Sequence, residues 1–376
     1  MRRRHWPWHR TYPAGGKDRR CRCRLRYGRR PRRQSFFDRC FVAERASSER
    51  YMDALLQLVV REQIDLVIPT SEPELRLLCA NDFFGRKELF LTANQEAMDI
   101  GFDKYRTAEF LRGHRLPHPW TQLADTGERP QQFPCILKSR TGCGSKTVRV
   151  LTEEGYHRGM NFSQDDMFQE LIPEDEGEYT CGLFRSGAGE IRTIVFRRKL
   201  RGGLTGSGVV VESPAIEKLL NVIAERLNLC GSINVQLRLN AGVPYVFEIN
   251  PRFSSTVRFR HQLGFSDVVW ALRDHINMPV GDYHALPQGI RFYKIFDDVI
   301  DWRTNMGRLD KECNENRLKS TGGDASKQVL HPYPFRVSAF RCVGSVRVRR
   351  WDSIKLLLLR MRVRGAIFTS TVLCGS

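Results

Sequence analysis

The sequence predicts an α/β layer followed by an α+β domain with a mostly antiparallel sheet. Two observations carry this reading. Between about Phe36 and Asn94, helical apolar patterns alternate with short apolar runs. Beyond Leu116, runs of period two follow one another, with one long amphipathic helix among them. A third observation sets the scale: 376 residues suit two or three domains with cores of their own.

The elements follow in chain order. Residues 1–35, rich in Arg and poor in acids as transit peptides are, show neither helical nor strand periodicity and lack the apolar segment of a secretory signal, so they read as a disordered arm. "YMDALLQLVVREQ" carries an apolar stripe at Met52, Leu55, Leu56, Val59 and Val60, which predicts a helix. "IDLVIPT" reads as a buried strand, "EPELRLLCANDFF" as a helix and "LFLTAN" as another strand; together they suggest the latter part of a parallel α/β layer. "QEAMDIGFDKYRTAEFLRGHRL" reads as one helix, and the two prolines of "LPHPW" end it, which places a domain junction near Leu116. The strand-like pieces "PCILKSR", "KTVRVL", "MFQELI", "EYTCGLF" and "EIRTIVFRRKL" come next. Ser213 as N-cap and Pro214 in the first turn open a helix whose stripe is Ile216, Leu219, Leu220, Ile223, Ala224 and Leu227.

Charge and cysteine usage narrow the function. The formal net charge of +19 is segregated: residues 1–35 hold 14 basic residues and one acid, residues 301–376 hold 15 and six, and the stretch between is nearly neutral. A nucleic-acid interface running through the core is therefore disfavoured. Apolar runs stay short of the ~18 residues of a membrane span, the longest candidate, "IKLLLLRMRV", being cut by Arg360 and Arg362. Eleven scattered cysteines, an odd number, suit free thiols in a reducing, cytoplasmic compartment better than a disulfide framework or a zinc site.

The chemistry concentrates in "INVQLRLNAGVPYVFEINPR". Ile233, Val235, Leu237 and Leu239 alternate with Asn234, Gln236 and Arg238; Tyr245, Phe247 and Ile249 alternate with Val246, Glu248 and Asn250. A hairpin pairing Leu239 with Tyr245 sets Gln236 opposite Glu248. A carboxylate, two amides and Arg252 offer oxygen ligands for Mg²⁺ and a cation for a phosphoryl group. The plain alternative is a solvated face with a surface ion pair. In "CILKSRTGCGSKTV", Lys138 ends an apolar strand and Gly142 and Gly144 sit in a loop able to close over phosphates; a simple turn and a snorkelling lysine are the bland readings. The Walker pattern is absent. In "MFQELIPEDEGEY" an acidic bend could lay its backbone along an adenine, with Glu178 accepting ribose hydroxyls, or could simply be an exposed loop.

As an ordered set, "DKYRTAEFLRGHRLPHPWT", "ILKSRTGCGSKTV", "FQELIPEDEGEY", "INVQLRL" and "FEINPR" resemble the ATP-grasp superfamily, and within it the carbamoyl-phosphate-synthetase-like proteins. "IDLVIPTSEPEL" resembles the end of the domain that precedes the ATP-grasp module. The resemblance spans roughly residues 38–280. It implies a partial α/β pre-ATP-grasp domain at 36–115 and an ATP-grasp fold at 116–300, flanked by the arm and by a basic tail at 301–376. Members usually begin with a β-α-β unit, for which residues 1–35 offer no strand.

The resemblance also implies roles. Lys104 and Lys138 contact ATP phosphates under a lid formed around Gly142, Gly144 and Ser145. Gln169, Glu170, Leu171 and Ile172 form the adenine hinge, and Glu178 binds ribose. Gln236, Glu248 and Asn250 hold Mg²⁺, or Mn²⁺ in its place, and Arg252, with Lys138, serves catalysis at the transferring phosphoryl group. The implied activity is ATP-driven activation of a small-molecule carboxylate as an acyl phosphate for attack by an amine or similar nucleophile, in a protein without membrane attachment whose assembly could be a homodimer. Arg197, Arg198 and Lys199 offer an acceptor-side contact for an anionic substrate, or merely a basic strand end. Two rivals remain in view: an ATP-grasp scaffold that binds nucleotide without ligation, and a nucleic-acid binder acting through the basic ends.

Overall fold

The structure, a computed structural model, describes residues 22–27, 39–142, 148–158, 161–285, 287–295 and 356–359. The chain divides into two units, Met1–Lys294 with Trp351–Ser376, and Ile295–Arg350. All elements below belong to the first.

Strand β1 (Arg22–Tyr27) runs parallel to β2 (Arg39–Ala43). The last strand, β14 (Leu356–Leu359), lies antiparallel between β1 and β3 (Leu66–Pro69). Two expectations change here. Residues 22–27 lie in the stretch read as a disordered arm, yet "RCRLRY" alternates charged with uncharged residues at a strand's period, a signal masked by the overall excess of arginine. Leu356–Leu359 likewise supplies a strand from within the basic tail. The rest of the arm and tail lies outside the described residues. The expected parallel layer survives only in part: "LFLTAN" contributes one parallel bridge, Phe90 to Val67, rather than a full strand.

Helix α1 (Tyr51–Arg61) buries Tyr51, Leu55, Leu58 and Val59, while Val60, expected on that stripe, is exposed. Helix α2 (Glu72–Ala80) stops short of its predicted end. The Asn81 side chain donates to the Leu77 carbonyl (2.8 Å), and Asp82, Phe83 and Phe84 then take left-handed backbone angles that no helix continues through. The single helix expected from Gln95 is two, α3 (Gln95–Gly101) and α4 (Lys104–Gly113). Asp103 makes the break: its Oδ1 accepts from the Tyr105 amide (2.8 Å) and so caps α4. A Cβ on Gly101 would lie 2.7 Å from Pro251, so the end of α3 packs closely beneath the "EINPR" segment.

A second sheet, ordered β4-β7-β5-β6, is antiparallel and comprises β4 (Thr121–Leu123), β5 (Cys135–Ser139), β6 (Arg149–Leu151) and β7 (Asp166–Glu170). A short helix, α5 (Glu153–His157), follows β6. The third sheet is the largest. It comprises β8 (Glu178–Arg185), β9 (Ile191–Arg201), β10 (Leu204–Val210), β11 (Gly231–Asn240), β12 (Val243–Asn250) and β13 (Arg291–Tyr293), all antiparallel, in the order β12-β11-β8-β9-β10-β13.

Helix α6 (Pro214–Arg226) covers one face of that sheet. The Ser213 hydroxyl caps it, and its predicted stripe from Ile216 to Leu227 is buried against Cys181, Leu183, Ile233, Val235, Leu237 and Ile249. Each such aliphatic side chain contributes about 1.5–3 kcal/mol on burial, so this face anchors the sheet. At one end of the opposite face, Phe184, Ile194 and Phe196 pack with Phe265 and with Trp270 of α8 (Asp267–His275), beyond α7 (Val257–Gln262). The rest of that face is polar.

The β11-β12 hairpin sets Gln236 opposite Glu248 as expected, but the Leu239–Tyr245 register from which that was drawn does not hold. Leu239 faces Pro244 instead of Tyr245, and Leu237 faces Val246. The surplus residue, Phe247, forms a bulge between the two registers. The bulge corrects one expectation: Val246 is buried with Ile249 in the α6 core and does not share the face of Glu248 and Asn250. Among the described residues no helix is long and apolar enough to cross a membrane.

Candidate nucleotide site

The polar face of the third sheet meets α4 and the second sheet. Lys104 opens α4, and its amide donates to the Arg140 carbonyl (3.0 Å) just after β5. Its Nζ donates to the Gly142 carbonyl (2.9 Å) and lies 3.8 Å from Glu248 Oε1 on β12. Lys138, on β5, is 6% exposed. Its Nζ donates to Gln169 Oε1 (2.7 Å) and to the Phe247 carbonyl (3.4 Å), so the bulge that sets the hairpin register also turns a backbone acceptor toward this lysine. Burial pulls the Lys138 ammonium down to about 8 against the opposing attraction of Glu248; Lys104 and Arg238 push it the same way as burial.

The base of the Gly-rich loop is tied down. Asp165 accepts from the Thr141 amide (3.1 Å), the Thr141 hydroxyl (2.6 Å) and Ser139. Burial raises its carboxyl, but these donors outweigh it and hold the group below the usual carboxylate range. Arg140 pairs with the capping Asp103 (2.7 Å). Gly142 takes φ +94°, and a Cβ there would meet open space. Gly144 and Ser145 lie outside the described residues.

In the hinge, Gln169 is buried and links Lys138 to the Thr121 hydroxyl (3.0 Å). Glu170 accepts from the Trp120 amide (3.1 Å). Leu171 is half-buried, and the buried Ile172 offers its carbonyl to Arg238 (2.8 Å). Glu178 is held by two arginines. Arg198 donates twice to Oε1 (3.0 and 2.7 Å), and Arg238 donates twice to Oε2 (3.2 and 2.9 Å). Arg198 also donates to Gln236 Oε1 (2.8 Å), joining Glu178 to the candidate metal ligands. Arg198 is thereby committed inside the site, while its neighbours Arg197 and Lys199 are exposed.

Arg252 reaches Asn250 Oδ1 at 3.5 Å. Asn250 faces Asn234 across the hairpin. Asn234 accepts from Thr180 (3.0 Å) and from the fully buried Arg260, which pairs with the fully buried Asp267 (3.5 Å). Gly182 makes room for that guanidinium, since a Cβ there would sit 3.0 Å from Arg260 Cζ.

The donor chemistry defines what metal this face fits. Among the described residues no group of three or more His, Cys, Asp or Glu is placed to hold an ion. Gln236, Glu248 and Asn250 present one carboxylate and two amide oxygens on neighbouring strands. That set fits a hard cation whose remaining ligands are phosphate oxygens and water. It does not fit an ion caged by protein alone.

Sequence reasoning singled out Lys104, Lys138, Gln169, Gln236 and Glu248, and the structure brings these together around one end of the hairpin. It missed Asp165 and the part played by Arg238. The latter was legible, because Arg238 shares the predicted polar face with Gln236.

Comparisons with known proteins point the same way. Residues 102–256 match a family described as the ATP-grasp domain. Over 235 residues the chain is 24% identical to the carbamoyl phosphate synthase large chain of Methanosphaerula palustris, a match covering 56% of this chain and 22% of that protein. The chain thus spans about a fifth of the length of the curated relatives it matches. Among solved structures, N5-carboxyaminoimidazole ribonucleotide synthetase from Thermus thermophilus is similar in fold, with a TM-score of 0.54, 19% identity and coverage of 65% of this chain and 69% of that one. The L-amino acid ligase of Bacillus licheniformis superposes with a TM-score of 0.53 at 18% identity, covering 67% of each chain.

Proposed function

Starting from a chain of the ATP-grasp superfamily, we propose that this protein is an ATP- and Mg²⁺-dependent ligase that activates a carboxylate as an acyl phosphate for attack by an amine or similar nucleophile. The observation that carries the proposal is the convergence of Lys104, Lys138 and Glu248 beside the Gln236–Asn250 face. Two cations and one carboxylate meet where a strand bulge and a loop base fix them. The names of the relatives, which include a synthase, a synthetase and a ligase, agree with this reading.

In the proposed reaction a substrate carboxylate oxygen attacks the terminal phosphorus. The new O–P bond forms as the bond to the bridging oxygen breaks, and ADP departs. The nucleophile then attacks the acyl carbon and phosphate leaves. Lys104 and Lys138 bind and orient the phosphates, the hinge from Gln169 to Ile172 takes the adenine, and Glu178 takes the ribose. Arg252 offsets charge as it spreads over the phosphoryl oxygens. Glu248, with Gln236 and Asn250, would hold Mg²⁺, which would supply positive charge against the phosphates. We assign the ligase chemistry to the domain at 116–300 together with α4, and residues 36–115 to a partial preceding domain. The partners are a small-molecule carboxylate and amine, and the assembly a homodimer.

The test is product identity. Full-length protein with Mg-ATP and a panel of carboxylates should yield ADP and phosphate only when a carboxylate is present, and hydroxylamine should capture a hydroxamate. AMP and pyrophosphate would exclude the acyl phosphate. A second reading, nucleotide binding without ligation, is favoured by the lone carboxylate in the metal set. It predicts ATP binding with no cleavage across the panel.

A further inference from the structure

Glu178 and Arg238 together limit how a nucleoside can enter. An ionised carboxylate has about four lone-pair sites. In Glu178 all four are used: two N–H groups of Arg198 converge on Oε1 and two of Arg238 on Oε2. The pair of ribose hydroxyls that Glu178 is proposed to accept has no acceptor left while both arginines stay. One of them must leave, and the surroundings select which. Arg198 is 8% exposed, rises from the inner strand β9, and is also held by Gln236 (2.8 Å) and Thr205 (3.4 Å). Arg238 is 18% exposed and sits near the turn of the β11-β12 hairpin. Its other partners belong to the hinge: the Ile172 carbonyl (2.8 Å) and Glu174 (2.5 Å), whose side chain is 74% exposed.

We propose that Arg238 is a latch that competes with the ribose hydroxyls for Glu178 and ties the adenine hinge to the sheet until nucleotide binds. The proposal rests on the nucleotide site assigned above and specifies its regulation. One guanidinium holds both the ribose acceptor and a hinge carbonyl, so ribose capture and hinge release become a single event. Arg238 acts through Glu178 and the hinge and is a positioning residue. Removing it leaves two acceptor sites on Glu178 open to hydroxyls, and any effect of the lost charge on Lys138 bears on the phosphates of both nucleotides compared below and cancels in their ratio.

The experiment compares ATP with 2′,3′-dideoxy-ATP by isothermal titration on the full chain with Mg²⁺. The readout is the ratio of the two dissociation constants, which a general loss of structure does not shift in a preferred direction. In the unaltered protein ATP must displace Arg238 to use its hydroxyls, so the ratio is small. In Arg238→Met the ratio should rise about tenfold in favour of ATP, the order of one hydrogen bond to a charged group. Arg238→Lys keeps the charge and the stem but loses the fork, and should give an intermediate rise; it carries the comparison if the Met variant fails to fold. Glu178→Gln should bring the ratio close to one. An unchanged or smaller ratio in both Arg238 variants would overturn the latch. Equal binding of the two nucleotides in every protein would overturn it by removing ribose recognition from Glu178, while leaving nucleotide binding intact. Failure of ATP to bind at all would overturn the nucleotide site itself.

Discussion

At the proposed nucleoside end of the polar face, Glu178 receives four N–H donors from two arginines; at the proposed phosphate end, Glu248 has Lys104 at 3.8 Å, and the acceptors of buried Lys138 are an amide and a backbone carbonyl. The two carboxylates lie on β8 and β12, which flank β11 in one sheet, and Arg198 links Glu178 to Gln236, the residue opposite Glu248. The difference lies in how completely charge is satisfied. A carboxylate with every acceptor site filled gains little from a ligand unless a partner withdraws. A buried ammonium held by uncharged oxygens has much to gain from an anion, because a charged acceptor forms the stronger bond in a low-dielectric site. Under the proposed assignment, the phosphate end is therefore poised for its ligand, and the nucleoside end must first be opened.

The largest expected effect is at the poised end. Lys138→Met should weaken ATP binding about a hundredfold, the upper range for hydrogen bonds to a charged group, while ligand-free stability is kept or improved because a buried cation has been removed. Titration calorimetry and thermal melts separate the two. The pH dependence follows from the depressed ammonium. ATP selects the protonated form, so affinity should fall as pH rises through about 8. Unfolded Lys titrates near ~10.4, so between about 8 and that value the unfolded chain binds the extra proton. This group's contribution to ligand-free stability therefore rises with pH across that window. A pH-independent affinity would place Lys138 away from the phosphates.

At the saturated end, the expected loss is one of stability. Glu178→Gln leaves Arg198 and Arg238 facing an amide, and should destabilise the ligand-free protein by about 3 kcal/mol, the lower range for breaking a buried pair. Urea unfolding measures it; a change below about 0.5 kcal/mol, the size of an exposed pair, would show that the four donors are not tightly engaged. The smaller effects test the hairpin. Glu248→Gln should weaken Mg²⁺-dependent nucleotide binding about tenfold, as for loss of one charged contact. Glu174→Gln, at a 74% exposed side chain, should change it by less than about twofold. Equal effects would mean that the face of Gln236 and Glu248 is not where the metal sits.

Much of this arrangement was legible in the sequence because it rests on period and local chemistry. The α6 stripe and its Ser213 cap follow from apolar period and capping, which operate within a few residues; the Gln236–Glu248 pairing was reached from a Leu239–Tyr245 register, which the structure replaces with Leu239–Pro244 and a compensating bulge. The rest depends on tertiary placement. Nothing local marks Phe247 as a bulge; its carbonyl acquires a role only because Lys138 arrives from another sheet. The break at Asp103 was written as an acid followed by Lys104 inside an otherwise continuous helical pattern, and only the cap geometry shows which signal prevails. Strand β1 was obscured by the arginines that alternate with its uncharged residues. Arg198 looked like a surface contact for substrate, because pairing with Glu178 becomes visible only when β8 and β9 are laid side by side.

The most direct test of a poised phosphate end is a single variant read two ways. Arg252 adjoins Asn250 on the face proposed to hold the metal and is assigned to charge that develops during phosphoryl transfer. Arg252→Ala should lower hydroxylamine-trapped product about a hundredfold, the cost of losing one transition-state donor, while the dissociation constant for Mg-ATP stays within about threefold. Parallel losses in trapped product and in ATP affinity, or product formation that survives unchanged, would contradict the assignment of this end to the chemistry of the terminal phosphoryl group.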